Sequence, residues 1–185
     1  MYKILIVDDE SIEREGISFL IEKYKLPLEV AQATNGKTAL EYMRTHPVDI
    51  LLTDVKMPQM DGLELARHTF EKYPDVRILV FSAYGEFEFA KKAMAAQAVS
   101  YLLKPIEVDE FQRVMAQILA RCDELAEKKK DEQQRGEEYR QQLLFRLVTG
   151  TGLGKAHITE EWFSGQTLCL LHVQTENDYF ATNED

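Results

Sequence analysis

Asp8, Asp9 and Glu10 follow one short, mostly apolar run, and Asp54 follows another. Ser82 and Lys104 stand at the ends of two later apolar runs. Carboxylates gathered where buried strands end repel one another, and burial makes each ionised form costlier. A hard divalent cation relieves both effects, and Mg2+ favours a few carboxylates together with water and a phosphoryl oxygen. A carboxylate in such a cluster can act as a nucleophile and form an acyl phosphate. Asp54 is the expected acceptor, with Asp8 and Asp9 beside it at the metal. Lys104 would neutralise one phosphoryl oxygen, and Ser82 would donate a hydrogen bond to another. Phosphoryl transfer is mainly positioning and charge neutralisation, so this short set of groups suffices.

Such residues act together only if the fold gathers them. Apolar runs at residues 2–7, 28–33, 49–53, 76–81 and 99–103 read as strands. Amphipathic segments at 11–24, 37–45, 60–73 and 86–96, and another starting near Val108, read as helices. Ser11 is the expected N-cap of the first helix, which carries Ile12, Gly16, Phe19, Leu20 and Lys23 at helical spacing. Asn35-Gly36 marks a turn, and His46-Pro47 and Pro74 end helices. The second strand is the more polar and belongs nearer an edge. Five βα units with apolar strands predict a doubly wound α/β fold on a five-stranded parallel sheet covered on both faces. In such sheets the functional crevice lies at the carboxyl ends of the strands. That is where Asp8, Asp9, Asp54, Ser82 and Lys104 fall.

The set DDE at 8–10, DVKMPQMDG at 54–62, SA at 82–83 and YLLKP at 101–105 resembles the receiver domain of two-component response regulators, over roughly residues 1–125. The resemblance implies a flavodoxin-like receiver with strand order 2-1-3-4-5. It implies that a sensor histidine kinase donates the phosphoryl group to Asp54, and that the backbone carbonyl of Lys56 joins Asp8, Asp9 and Asp54 at Mg2+. It also implies that Ser82 and Tyr101 form a switch pair, that Lys104 contacts the phosphoryl group, and that the Lys104-Pro105 peptide is cis. Phosphorylation would then move Ser82, turn Tyr101 inward and change the face made by the helix at 86–96, the strand at 99–103 and the helix after it. The result would be a homodimer. Bulky Tyr84 is expected to slow water attack on the acyl phosphate. The chain itself would be no enzyme beyond self-catalysed phosphotransfer and slow autodephosphorylation.

The helix that starts near Val108 has Phe111, Met115, Ile118, Cys122 and Leu125 in a 4-3-4-3 pattern, then a very charged stretch, then Tyr139, Leu143, Leu144 and Leu147. The expected organisation is a receiver at 1–125, a helical connector or short coiled coil at 126–150, where Lys129, Glu132 and Gly136 fall in the seam positions, and the start of an incomplete second domain at 151–185. The connector, SAYGEFEFAKKAM and QQLLFRLVTG resemble regulators with a C-terminal AraC-type DNA-binding domain. That resemblance implies transcriptional control by a longer parent, because the residues after Gly154 are too few for a double helix-turn-helix unit. The run TGTGLG at 149–154 lacks the Lys-Ser/Thr ending of a phosphate-binding loop.

Composition narrows the function classes. The 185-residue chain carries a formal charge of −10, which argues against contact with nucleic acid by this chain itself. Cys122 and Cys169 form no metal-binding or disulfide pattern, and no apolar run reaches membrane-spanning length, so a cytoplasmic protein without membrane contact is expected. His46, His68, His157 and His172 have no ligand spacing and read as structural. Three alternatives differ from this reading in the residues they need. A Mg2+-dependent aspartyl phosphatase needs a second acid two residues after the nucleophile, where this chain has Lys56. A flavin mononucleotide binder needs a loop of glycine and hydroxyl residues after the first strand, where this chain has DDESIE. A stand-alone receiver acting through protein–protein contact is the third.

Overall fold

The computed structural model describes residues 1–83 and 99–149. The helix expected at 86–96, Tyr84, the run at 149–154 beyond Thr149, and the whole segment 151–185 lie outside the described residues. Five strands, β1 (Tyr2–Val7), β2 (Leu28–Ala33), β3 (Ile50–Asp54), β4 (Arg77–Ala83) and β5 (Val99–Lys104), pair in parallel in the order β2-β1-β3-β4-β5. This is the expected doubly wound sheet, with the polar strand β2 at an edge. The helices between them are α1 (Ser11–Lys23), α2 (Gly36–Thr45) and α3 (Gly62–Lys72), and a long helix follows (Val108–Thr149).

Period-two alternation divides the core. Ile4, Ile6, Leu52, Leu79, Phe81 and Leu102 face α1 and the long helix, meeting Ile17, Ile21, Phe111, Met115, Ile118 and Cys122. Leu5, Val7, Leu51, Ile78 and Val80 face the other way, onto Ala39, Met43, Leu65 and Ala66 of α2 and α3. Both faces are dry, which is why the strands read as continuous apolar runs. Clustering divides the chain into two compact units, Met1–Gln134 and Arg135–Asp185. The long helix gives its first part to one and its last part to the other.

Several local expectations are corrected. Ser11 does not cap α1. The capping position is Glu10, which makes no side-chain cap bond. Nor does α1 bury the stripe read from its sequence. Ile17 and Ile21 face the core, while Ile12 is 73% and Phe19 59% exposed. Strands β3 and β4 extend further than expected, so Asp54 and Ser82 are strand residues. Helix α3 starts later, at Gly62, capped by Asp61 through a hydrogen bond from the Glu64 N–H. The glycine is required there. A Cβ on Gly62 would lie 1.7 Å from the main-chain oxygen of Asp54, so α3 starts hard against the backbone of β3.

Candidate functional site

Strand register assembles the site. Val7 lies level with Thr53, and Asp54 with Phe81, so Asp8 and Asp54 follow one another across adjacent strand ends. Ile4, Ile6 and Asp8 share one side of β1, as Leu52 and Asp54 do on β3 and Leu102 and Lys104 on β5. Three groups from three strands therefore emerge above the same sheet face. Lys104 crosses the ring of Phe81, its Nζ 4.7 Å from the ring centroid. It ends 2.9 Å from Asp8 Oδ2 and 2.9 Å from Asp54 Oδ1. Phe81 acts as the platform that carries the lysine stem over β4, a placement its apolar strand context gave no reason to expect.

Each carboxylate has a second anchor. The backbone N–H of Lys56 donates to Asp54 Oδ2 at 2.8 Å. The backbone N–H of Glu10 donates to Asp8 Oδ1 at 2.8 Å. Asp8 and Asp54 are buried, whereas Asp9 is exposed. Desolvation pushes the Asp54 carboxyl above its ordinary value, and the hydrogen bonds and charge of Lys104 only partly oppose it. Burial works against the charge on Lys104 too, but Asp54 and Asp8 outweigh it and hold the ammonium above its ordinary value. The lysine stays charged, and it is shared between two carboxylates, so it does not fully offset the desolvation of Asp54.

Ser82 is fully buried, with its hydroxyl donating to the Ala83 carbonyl at 3.3 Å. Tyr101 lies level with Val80, two residues before Ser82 on the same side of β4, and packs partly buried against that core layer. The Lys104-Pro105 peptide is cis. Among the described residues, no three of His, Cys, Asp and Glu form a ready-made metal-binding group. The Lys104 ammonium occupies the gap between two of the expected ligands. The donor chemistry nevertheless fits a hard divalent ion. Asp8 and Asp54, at the adjacent ends of β1 and β3, share a single ammonium, and Asp9 follows Asp8 directly in the chain as a third carboxylate donor.

Arg14 was missed in the sequence. Its Nη1 donates to the main-chain carbonyl of Asp8 at 2.6 Å and its Nε to Gln32 Oε1 at 3.2 Å. The one available signal was that Arg14 is the only basic residue between Asp8 and Glu22, close behind three acids.

The family model of the response regulator receiver domain matches residues 4–116. An uncharacterised transcriptional regulatory protein of Bacillus subtilis, YesN, is 41% identical over 121 residues, covering 65% of this chain and 33% of that protein. The transcriptional regulatory protein DegU of Brevibacillus brevis is 31% identical over 118 residues, covering 62% of this chain and 50% of that one. The chain thus spans from a third to a half of the length of these relatives. Among solved structures, a two-component transcriptional regulator AraC from Clostridium phytofermentans is similar at 35% identity and a TM-score of 0.63, over 67% of this chain and 97% of that one. The receiver domain of AraT, a response regulator from Geobacillus stearothermophilus, is similar at 39% identity and a TM-score of 0.62, over 69% and 98%.

Proposed function

Because the chain belongs to the response regulator receiver domains of two-component signalling, we propose that Asp54 is its phosphoacceptor, charged by a sensor histidine kinase. The observation that carries this reading is the convergence of Asp54, Asp8 and Lys104 from the carboxyl ends of three strands, with Asp54 buried and incompletely compensated. An Asp54 oxygen attacks phosphorus, the bond from phosphorus to the donor imidazole breaks, and the imidazole leaves. Lys104, already 2.9 Å from Asp54 Oδ1, is placed to hold a phosphoryl oxygen. The Lys56 N–H fixes the other Asp54 oxygen and so sets the direction of attack.

Asp8, Asp9 and Asp54, with the Lys56 backbone carbonyl, would hold Mg2+. When bound, the ion supplies the positive charge that the phosphoryl oxygens and the acids lack. Ser82 and Tyr101 are read as the switch pair, coupling the acceptor to the face that β5 and the long helix form. The output proposed, by likeness to relatives named as transcriptional regulators, is control of transcription by a longer parent, with phosphorylation promoting a homodimer.

The test is intact mass after incubation with acetyl phosphate and Mg2+, on the parent chain and on Asp54→Asn. One added phosphoryl group on the parent, dependent on Mg2+ and lost in the variant, is the expected outcome. An unlabelled parent, or a variant still labelled, would overturn the assignment.

A further inference from the structure

We propose that Arg14 is a positioning residue of the cation site: by holding the carbonyl of Asp8 it fixes the plane of the Asp8–Asp9 peptide, and with it the direction from which Asp9 is offered to the metal. The inference rests on the reading of Asp8 and Asp9 as metal ligands.

Strand β1 leaves its ladder at Val7, level with Ala33 on one side and Thr53 on the other. Beyond that point the Asp8 N–H still reaches the Ala33 carbonyl, at 3.3 Å. The Asp8 carbonyl has passed the last paired strand residue, and α1 begins three residues later without a side-chain cap. Within the turn the Glu10 N–H is held by Asp8 Oδ1, but neither the ladder nor a side-chain cap reaches the Asp8 carbonyl. Arg14, one turn into α1, reaches back and donates to that carbonyl at 2.6 Å. The atom it holds belongs to the peptide unit joining the two acids. That unit is planar, so fixing its oxygen fixes the line along which the chain enters Asp9.

The guanidinium is itself held. Gln32 of β2 accepts from Arg14 Nε, and its amide donates to Ser18 Oγ at 3.0 Å. Ser18 Oγ in turn donates to the Arg14 main-chain carbonyl at 2.7 Å. The circuit runs from the Asp8 carbonyl through Arg14, Gln32 and Ser18 back to α1, joining β1, β2 and α1. A planar fork already anchored at Nε by Gln32 loses little further freedom when its Nη1 holds the Asp8 carbonyl, which suits it to this task.

Charge and geometry make opposite predictions. Arg14 is a cation beside acids that bind a cation. By Coulomb repulsion alone, removing it should tighten metal binding. If it positions the acids, removing it should weaken binding, by about tenfold or more as for other outer-layer partners of metal ligands. The experiment is a Mn2+ titration of the full chain, with free Mn2+ followed by its electron paramagnetic resonance signal, on parent, Arg14→Met, Arg14→Lys and Gln32→Met. The expected result is a dissociation constant raised about tenfold or more in Arg14→Met. Arg14→Lys, which can offer a single donor to the same carbonyl, should recover part of the loss. Unchanged or tighter binding in a folded Arg14→Met overturns the inference while leaving the metal site standing. A parent that binds no Mn2+ overturns the metal reading and this inference with it. If Arg14→Met does not fold, Gln32→Met decides, because it keeps Arg14 and removes the acceptor that orients it: weaker binding supports the assignment and unchanged binding overturns it.

Discussion

At the scale of single residues, the site is a contest for one ammonium. Lys104 serves Asp8 and Asp54 together, so its removal strands two desolvated carboxylates. Lys104→Met is expected to lower stability at pH 7 by about 3 kcal/mol, the low end for leaving a buried charge unpaired, because the lysine is partly exposed. The sign with pH follows from Asp54. Its carboxyl lies above its ordinary value when folded, so the native state binds that proton more tightly than the unfolded chain does. Stability tied to Asp54 therefore rises as pH falls through its folded value, and the deficit of Lys104→Met should narrow from pH 7 towards pH 5. Urea unfolding at the two pH values checks this, and a deficit that widens would contradict it. Asp54, Asp8 and Lys104 were legible in the sequence because each is a charged residue directly after an apolar run, and a parallel sheet sends every such end to one side. Phe81 and Arg14 were not. Phe81 looks like any strand aromatic, and Arg14 acts on a main-chain carbonyl, an atom no residue type advertises.

At the scale of elements, β3 and α3 meet with no space between them. Gly62→Ala would drive a methyl group into the Asp54 carbonyl, an atom fixed in the sheet, so relief requires α3 to shift. The expected cost is about 3 kcal/mol, the upper end for overpacking, read from urea unfolding. Slower labelling of Asp54 by acetyl phosphate should accompany it. The long helix gives a separate test. Cys122 is buried against the sheet, and burial pushes its thiol up from 9.0 to about 11. About one thiolate in a hundred of the ordinary population then remains at pH 8, so iodoacetamide should label the native protein about a hundredfold more slowly than the urea-unfolded one. Cys169→Ser isolates the signal, and equal rates would show that the helix does not seal this layer. The strands and their parallel, doubly wound arrangement could be read from apolar runs and βα alternation, and their order came from the resemblance to receiver domains. The buried face of α1 could not, because Ile12, Phe19, Ile17 and Ile21 give two competing stripes, and the burial of Ile17 and Ile21 against β1 decides between them.

At the scale of the whole molecule, the proposed switch predicts a change of assembly. Acetyl phosphate with Mg2+ should shift the parent towards a dimer in light scattering after size exclusion, and Asp54→Asn should elute identically with and without it. A dimer that forms equally in the variant would separate assembly from phosphorylation. The close approach at Gly62 gives the direction in which such a signal travels. Asp54 has a rigid wall behind it: its carbonyl touches the start of α3, and the Gly62 N–H is bonded to the Val55 carbonyl at 2.9 Å. On the other side, β5 is an outer strand with one hydrogen-bonded neighbour. If a phosphoryl group is added at Asp54 as proposed, room for it on the α3 side could be made only by displacing this contact, which leaves the side of β4, β5 and the helix that follows them. On the proposed switch, a missing side chain at Gly62 would give the response its polarity, much as a closed valve directs flow without taking part in it.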